Sequence, residues 1–191
     1  MSVLEYRMQY LAVADLDYLS ARLLLFSALP SSGLPKAAEA IEKLLKLWLM
    51  LEAKINRKEE LGAKDLKRFN HDLPALFRHL RQSVSADFDT SWDSYLLELQ
   101  DAYSRRYPDQ WLVKMTWVID LDRLDQAYSY LRKGVVENFP EEEVQQARKF
   151  GGSLLAAYDG VISDSISKKG GMPPLRILEV ENKCLNQFVI E

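Results

Sequence analysis

The chain has little of what metal, redox and disulfide-stapled proteins are built on. Its one cysteine, Cys184, cannot close a disulfide within the chain, and its two histidines, His71 and His79, have no zinc-ligand spacing. Asp120, Asp122 and Asp125 lack the glycine and terminal glutamate of a calcium loop, and read as acidity at a helix start, where the macrodipole favours it. No metal and no cofactor are expected. Long apolar runs are also missing: Glu5, Arg7, Asp15 and Asp17 interrupt the amino-terminal region, which fits neither a cleavable signal nor a membrane span. The expectation is a cytoplasmic protein that does not enter a membrane. Nor is there a strong charge of one sign. A formal net charge of -3 supplies no global field drawing the chain to nucleic acid, so any polyanion site must be local. No long-period repeat or low-complexity segment appears.

What is present is apolar patterning at helical spacing. With 191 residues, 48% of them hydrophobic, the chain can bury one substantial core with an appendage. Met8, Ala12, Leu16, Leu19, Leu23 and Phe26 step by three or four and predict a helix over about residues 3–28. Ser31, Ser32, Gly33 and Pro35 punctuate. Ala37, Ile41, Leu44, Trp48, Leu51 and Ile55 repeat the spacing, predicting a second helix antiparallel to the first. A third carries Leu73, Leu76, Phe77, Leu80 and Val84, with Pro74 in its first turn and Asn70 or Asp72 as cap. Thr90 or Ser91 caps a fourth through Tyr103, which Pro108 cannot continue. Asp120 caps a fifth through Leu121, Leu124, Tyr128, Leu131 and Val135, stopped by Pro140. Residues 111–119 read as an irregular connection.

These elements predict an all-α fold: an up-and-down antiparallel helical bundle of about five helices over residues 1–139. Residues 140–191 form a C-terminal extension, expected as a helix plus a docked arm packed on the bundle. Val144, Ala147, Leu154, Tyr158 and Ile162 align on one helical face there, although Gly151 and Gly152 each cost about 1 kcal/mol against alanine in a helix.

Charge is locally uneven. Between Lys54 and Arg81 eight basic residues face four acidic ones, a polyanion candidate or a solvated helix end. Tyr103-Ser104-Arg105-Arg106-Tyr107-Pro108-Asp109 sets two arginine forks among tyrosine faces, chemistry suited to an anion or nucleotide. The arginines lie about 100° apart on a helix, so one of them serves the structure, with Asp72, Asp101 or Asp109 as its partner. His71 has a proton affinity suited to transfer near neutrality, and Asp72 beside it can orient its ring or simply cap a helix. Lys43 and Lys46 can reach a phosphate or lay their stems along the core. The binding candidates are therefore Lys43, Lys46, His71, Asp72, Arg106 and Tyr107, with His71 the one catalytic candidate.

In order and spacing, several of these motifs resemble the HEPN family of small helical bundles. Ala12-Val13-Ala14-Asp15-Leu16 is similar to the family's first-helix pattern, and Ala40-Ile41-Glu42-Lys43-Leu44-Leu45-Lys46 to its second. His71-Asp72-Leu73 opens the third helix and Arg106-Tyr107-Pro108-Asp109 ends the fourth as in that family. The resemblance covers residues 3–138. It implies a homodimer and either of two activities: RNA cleavage by an arginine followed after four to six residues by a histidine, or binding and scaffolding without that pair. Here Lys64, Asp65 and Leu66 precede His71 at that spacing, and Asp72, Leu73 and Pro74 precede His79. The arginine is missing. The leading expectation is a binding module for a nucleotide or RNA phosphate. The alternatives are a variant ribonuclease toxin paired with a nucleotidyltransferase-like partner, and a structural adaptor acting through residues 140–191.

Overall fold

In the computed structural model of the chain, residues 3–62, 64–84, 88–106, 118–140 and 143 are described. They form an all-α helical bundle: α1 (Val3–Phe26), α2 (Pro30–Glu52), α3 (Leu73–Ser83), α4 (Trp92–Ser104) and α5 (Leu121–Glu137). Tyr107, the 111–117 connection and nearly all of the C-terminal extension lie outside the described residues.

α2 is the axis of the bundle and packs against all four other helices. Its sequence explains why: Leu44, Leu45, Leu47, Leu49, Met50 and Leu51 surround the helix with apolar side chains, and all are fully buried. The helix begins earlier than the punctuation at residues 31–35 predicts. Pro30 stands in its first turn, where an absent N–H costs nothing, and Ala28, at φ 57°, makes the reversal from α1. Gly33 is required by contact, since a Cβ there would lie 2.7 Å from Leu25 Cγ. At its far end the winding loosens into a π-helical turn, Ala53–Arg57, closed by Lys58 at φ 58°. The wider turn breaks the register, and Ile55, expected inside, is 36% exposed.

Two caps are where the sequence puts them. Asp72 accepts from Ala75 N at 2.9 Å and Asp120 accepts from Arg123 N at 2.9 Å. Ser91 precedes α4 without a side-chain cap bond.

α1 departs from its predicted facing. Of the expected stripe, Leu16, Leu23 and Phe26 are 40%, 41% and 49% exposed. The buried face is instead Leu11, Ala14, Tyr18, Ala21 and Leu25, flanked by the buried charges Arg7, Asp15, Asp17 and Arg22. The reason is on α5. Asp15-x-x-Tyr18-x-x-x-Arg22 in α1 recurs as Asp125-x-x-Tyr128-x-x-x-Arg132 in α5, and the two copies interlock head to tail. Arg22 holds Asp125 with bonds of 2.7 and 2.8 Å, and Arg132 holds Asp15 at 2.9 and 3.1 Å. Tyr18 donates to Asp125 at 2.7 Å and Tyr128 to Asp15 at 2.6 Å, while the two rings stack with centroids 4.0 Å apart. Burial, with the Asp15 carboxylate adding to it, holds the Tyr128 phenol protonated and so a donor. Asp125, expected as helix-start acidity, is thus a buried partner of Arg22.

α5 reaches α2 through Gly134, where an added Cβ would lie 2.1 Å from the Trp48 ring. Alanine gains about 1 kcal/mol over glycine from helix propensity, but this overlap with an indole costs about 1–3 kcal/mol. Gly134→Ala is therefore expected to lower stability in denaturant melts, and Trp48→Leu in the same chain to reverse the sign and make Gly134→Ala stabilising.

Candidate functional site

Four elements converge beside α2. Asn70 and His71 both take left-handed backbone, at φ 40° and 65°, directly before the Asp72 cap. Such conformations cost on the order of 1 kcal/mol each for residues with a Cβ, and persist where the surroundings enforce them. The enforcement is visible: Asp72 N–H donates to Phe69 O at 2.7 Å, and Leu73 N–H donates to Gln100 Oε1 of α4 at 2.9 Å. The turn delivers the His71 imidazole to Glu42 of α2. Its Nδ1 lies 3.0 and 2.8 Å from the two carboxylate oxygens.

Glu42 is 7% exposed and also takes the ammonium of Lys46, itself 8% exposed. With an ionised carboxylate able only to accept, the proton of a neutral His71 sits on Nδ1 and Nε2 is left with its lone pair. A buried carboxylate therefore orients a ring whose side chain is 50% exposed. Gln100 and Tyr103 are one turn apart on α4, so the bond that ties down Leu73 also brings Tyr103 against His71, ring centroids 5.4 Å apart. Arg106 lies on Tyr103 as well, its guanidinium carbon 3.8 Å from the ring centre and its NH1 donating to Tyr103 O at 3.2 Å. Tyr10 of α1 completes the surroundings. Burial pushes its phenol well above the usual range, with Tyr6 and the Glu42 carboxylate adding to the effect, so Tyr10 is a neutral hydroxyl here.

Of the six residues expected at the site, the structure brings together His71, Arg106 and Lys46. Lys46 arrives through Glu42 rather than as a free phosphate contact. Lys43 is elsewhere: its ammonium pairs with Asp17 at 2.6 Å, on the side of α2 facing α1. Asp72 caps α3 and does not orient the imidazole, a role that falls to Glu42. Tyr107 is outside the described residues. Arg105 is the structural one of the two arginines, paired with Asp101 at 2.7 Å. Glu42 and Tyr103 are the site residues that the sequence reading did not assign. Glu42 had a signal, an acid directly beside the core residue Ile41 and four residues before Lys46, with which it pairs.

Part of the basic stretch, Lys67 and Arg68, leads directly into the His71 turn. The acids of the stretch are consumed internally: Glu59 pairs with Arg57, Glu60 with Arg7, Asp65 accepts from Gly62 N, and Asp72 caps α3. Lys58, Lys64, Lys67, Arg68 and Arg78 are exposed, and among the described residues none has a carboxylate within ion-pair distance. Most of them sit on the short 3-10 helix Asp65–Phe69 and on α3, which meet where Arg68 NH2 approaches His79 Nε2 at 3.5 Å. Burial, reinforced by Arg68 and Arg57, lowers the proton affinity of His79.

The elements and the site define an all-α bundle with a histidine-carboxylate pair at one loop and an arginine-tyrosine stack facing it. No family model, curated protein or solved structure matches the chain. Among the described residues there is no group of three or more metal-ligating side chains, and no helix is long and apolar enough to cross a membrane.

Proposed function

We propose that the protein is a HEPN-like binding module that takes RNA by its phosphates at the His71–Arg106 cluster. One observation carries the reading: His71 and Arg106, 35 residues apart, both pack against the Tyr103 ring, at 5.4 and 3.8 Å from its centre. An imidazole edge, a guanidinium fork and an aromatic face are the parts that hold a phosphate and stack a base. Lys67 and Arg68, exposed on the short helix that leads into the His71 turn and without a carboxylate partner among the described residues, favour a polynucleotide over a single nucleotide, because they offer charge beyond the reach of one phosphate group. The homodimer implied by the resemblance belongs to the same proposal.

The test is fluorescence anisotropy with a labelled single-stranded RNA, using mononucleotides as competitors. The oligonucleotide is expected to bind with steep salt dependence and mononucleotides to compete weakly. Removing a charge-assisted bond of about 1.5–3 kcal/mol predicts roughly ten- to hundredfold weaker binding for Arg106→Ala. Lys67→Glu with Arg68→Glu should flatten the salt dependence. RNA binding that is absent, or indifferent to Arg106, sinks the proposal.

The Glu42–His71 pair supports a second reading, a variant ribonuclease. A carboxylate-oriented imidazole with a free Nε2 is fit to take a proton from a ribose hydroxyl, and Arg106 to stabilise the charge that develops on phosphate. The arginine at the family's spacing is missing, so binding ranks first. In the ribonuclease case a nucleotidyltransferase-like protein is the partner that the resemblance implies, and RNA cleavage abolished by His71→Gln decides for it.

A further inference from the structure

The cluster at Tyr103 has a counterpart. The chain has two histidines, and each packs on an aromatic ring that also carries an arginine. At the first, His71 and Arg106 share the Tyr103 ring. At the second, the His79 ring centre lies 5.3 Å from that of Phe69, and the Arg68 guanidinium carbon lies 5.0 Å from the same ring. The 3-10 helix Asp65–Phe69, which runs into the His71 turn, supplies the arginine and the phenylalanine, and α3, which runs out of it, supplies the histidine. Asp72 and His79 are seven residues apart, about two turns, and so lie on one side of α3.

Arginines stacked on rings also serve structure in this bundle, and the structural ones carry an acid. Arg81 lies over Phe77 and Arg123 over Tyr95, and carboxylates neutralise them, Asp93 at 3.0 Å and Glu98 at 3.3 Å. Arg68 differs. It is exposed, has no carboxylate within ion-pair distance among the described residues, and meets a second potential cation instead, its NH2 standing 3.5 Å from His79 Nε2. A guanidinium only donates, so Nε2 faces it as an acceptor. Burial, Arg68 and Arg57 all oppose a charge on His79, and Glu52, which favours one, is already committed to Arg57 at 3.2 Å. The exposed Lys67 and Arg78 flank the pair in sequence and add no acid. A stacked fork without a carboxylate, beside an imidazole that its neighbours keep uncharged, is matched to an anion from outside the chain.

We infer that Arg68, Phe69 and His79 form a second phosphate subsite, which takes a backbone phosphate of the same RNA strand that His71 and Arg106 hold. The inference rests on the RNA reading for its ligand and on the geometry of this cluster for its place. Arg68 supplies the fork and Phe69 holds it flat. As the phosphate arrives, His79 takes a proton from solvent and becomes a second donor. An anion raises the proton affinity that Arg68 and Arg57 depress, so phosphate binds more tightly as pH falls toward the titration of His79.

Anisotropy and proton NMR on the full chain test it. Arg68→Ala is expected to weaken RNA binding about tenfold and to lower the slope of log affinity against log salt by about 0.7, the loss of one single-strand phosphate contact. Arg81→Ala removes an arginine of α3 that already has its acid, and is expected to change neither. Equal effects of the two would mean diffuse attraction and overturn the subsite, as would RNA binding indifferent to Arg68→Ala. The second readout needs no RNA. With two histidines in the chain, His79→Gln assigns the imidazole signals, and inorganic phosphate at constant ionic strength is titrated into Arg106→Ala protein, where the first cluster is disabled. The His79 signal is expected to shift saturably and to titrate at higher pH, and Arg68→Ala to abolish both effects. A His79 signal that ignores phosphate overturns the inference even where RNA binds. RNA that fails to bind while phosphate still moves His79 retires the RNA reading and supports the anion site.

Discussion

Asp15→Ala is expected to cost about 3–5 kcal/mol of folding stability, the range for removing one partner from a buried ion pair. The substitution strands the Arg132 guanidinium, 3% exposed, and leaves the Tyr128 hydroxyl without its acceptor. For a chain of this size each kcal/mol moves the melting temperature by about 2–4 °C, so thermal unfolding should fall by roughly 10 °C. The pair itself need not be what stabilises the fold. Desolvating two charges consumes most of their attraction, so Asp15→Leu with Arg132→Met should recover most of the loss, with a coupling energy of several kcal/mol in the double-mutant cycle. The cross-linked geometry adds a further expectation. Because Tyr18 and Tyr128 stack between the two ion pairs, Asp15→Ala and Asp125→Ala together should cost less than the sum of the single substitutions, since the second removes an array already broken. Strict additivity in that quadruple set would mean that the α1–α5 contact is two separate pairs and not one unit.

That array also explains what was legible in the sequence and what was not. α2 to α5 followed from apolar spacing, and the caps Asp72 and Asp120 from their residue type, because both signals are local. The rotation of α1 was not local. Periodicity assumes that charge faces water, and Leu16 and Leu23 therefore read as core, whereas the buried face carries Asp15 and Arg22. Only the second copy of the same Asp-x-x-Tyr-x-x-x-Arg spacing, 110 residues later, hinted otherwise, and it is too short to register as a repeat. At the site, His71 and Arg106 were named from motif order. Their meeting depends on Tyr103 and on two left-handed residues that no propensity predicts at Asn70 and His71. Asp72 was the neighbour in sequence and Glu42 the neighbour in space, so of the two roles open to Asp72 the cap is the one realised, and the carboxylate on the ring comes from α2.

Glu42 belongs to the core and the site at once, and its two roles should come apart under substitution. Glu42→Ala leaves the Lys46 ammonium buried with no counter-charge, and a loss of about 3 kcal/mol or more is expected in denaturant melts. It also frees the His71 imidazole, whose Nδ1 contacts on Glu42 oppose a strained left-handed turn. Glu42→Leu with Lys46→Leu removes both charges from the interior and should restore most of the stability, because the cavity refills with apolar side chains. It restores nothing to His71. On the proposed RNA-binding reading, the double variant is therefore expected to melt close to the parent while RNA affinity stays at the level of His71→Ala. If the double variant regains full RNA affinity along with its stability, Glu42 serves the core alone and the proposed phosphate contacts rest on Arg106. If neither property recovers, the Glu42–Lys46 pair is worth more than its isosteric replacement. In that case the buried Glu42–Lys46 pair of α2 has a structural purpose that binding does not account for.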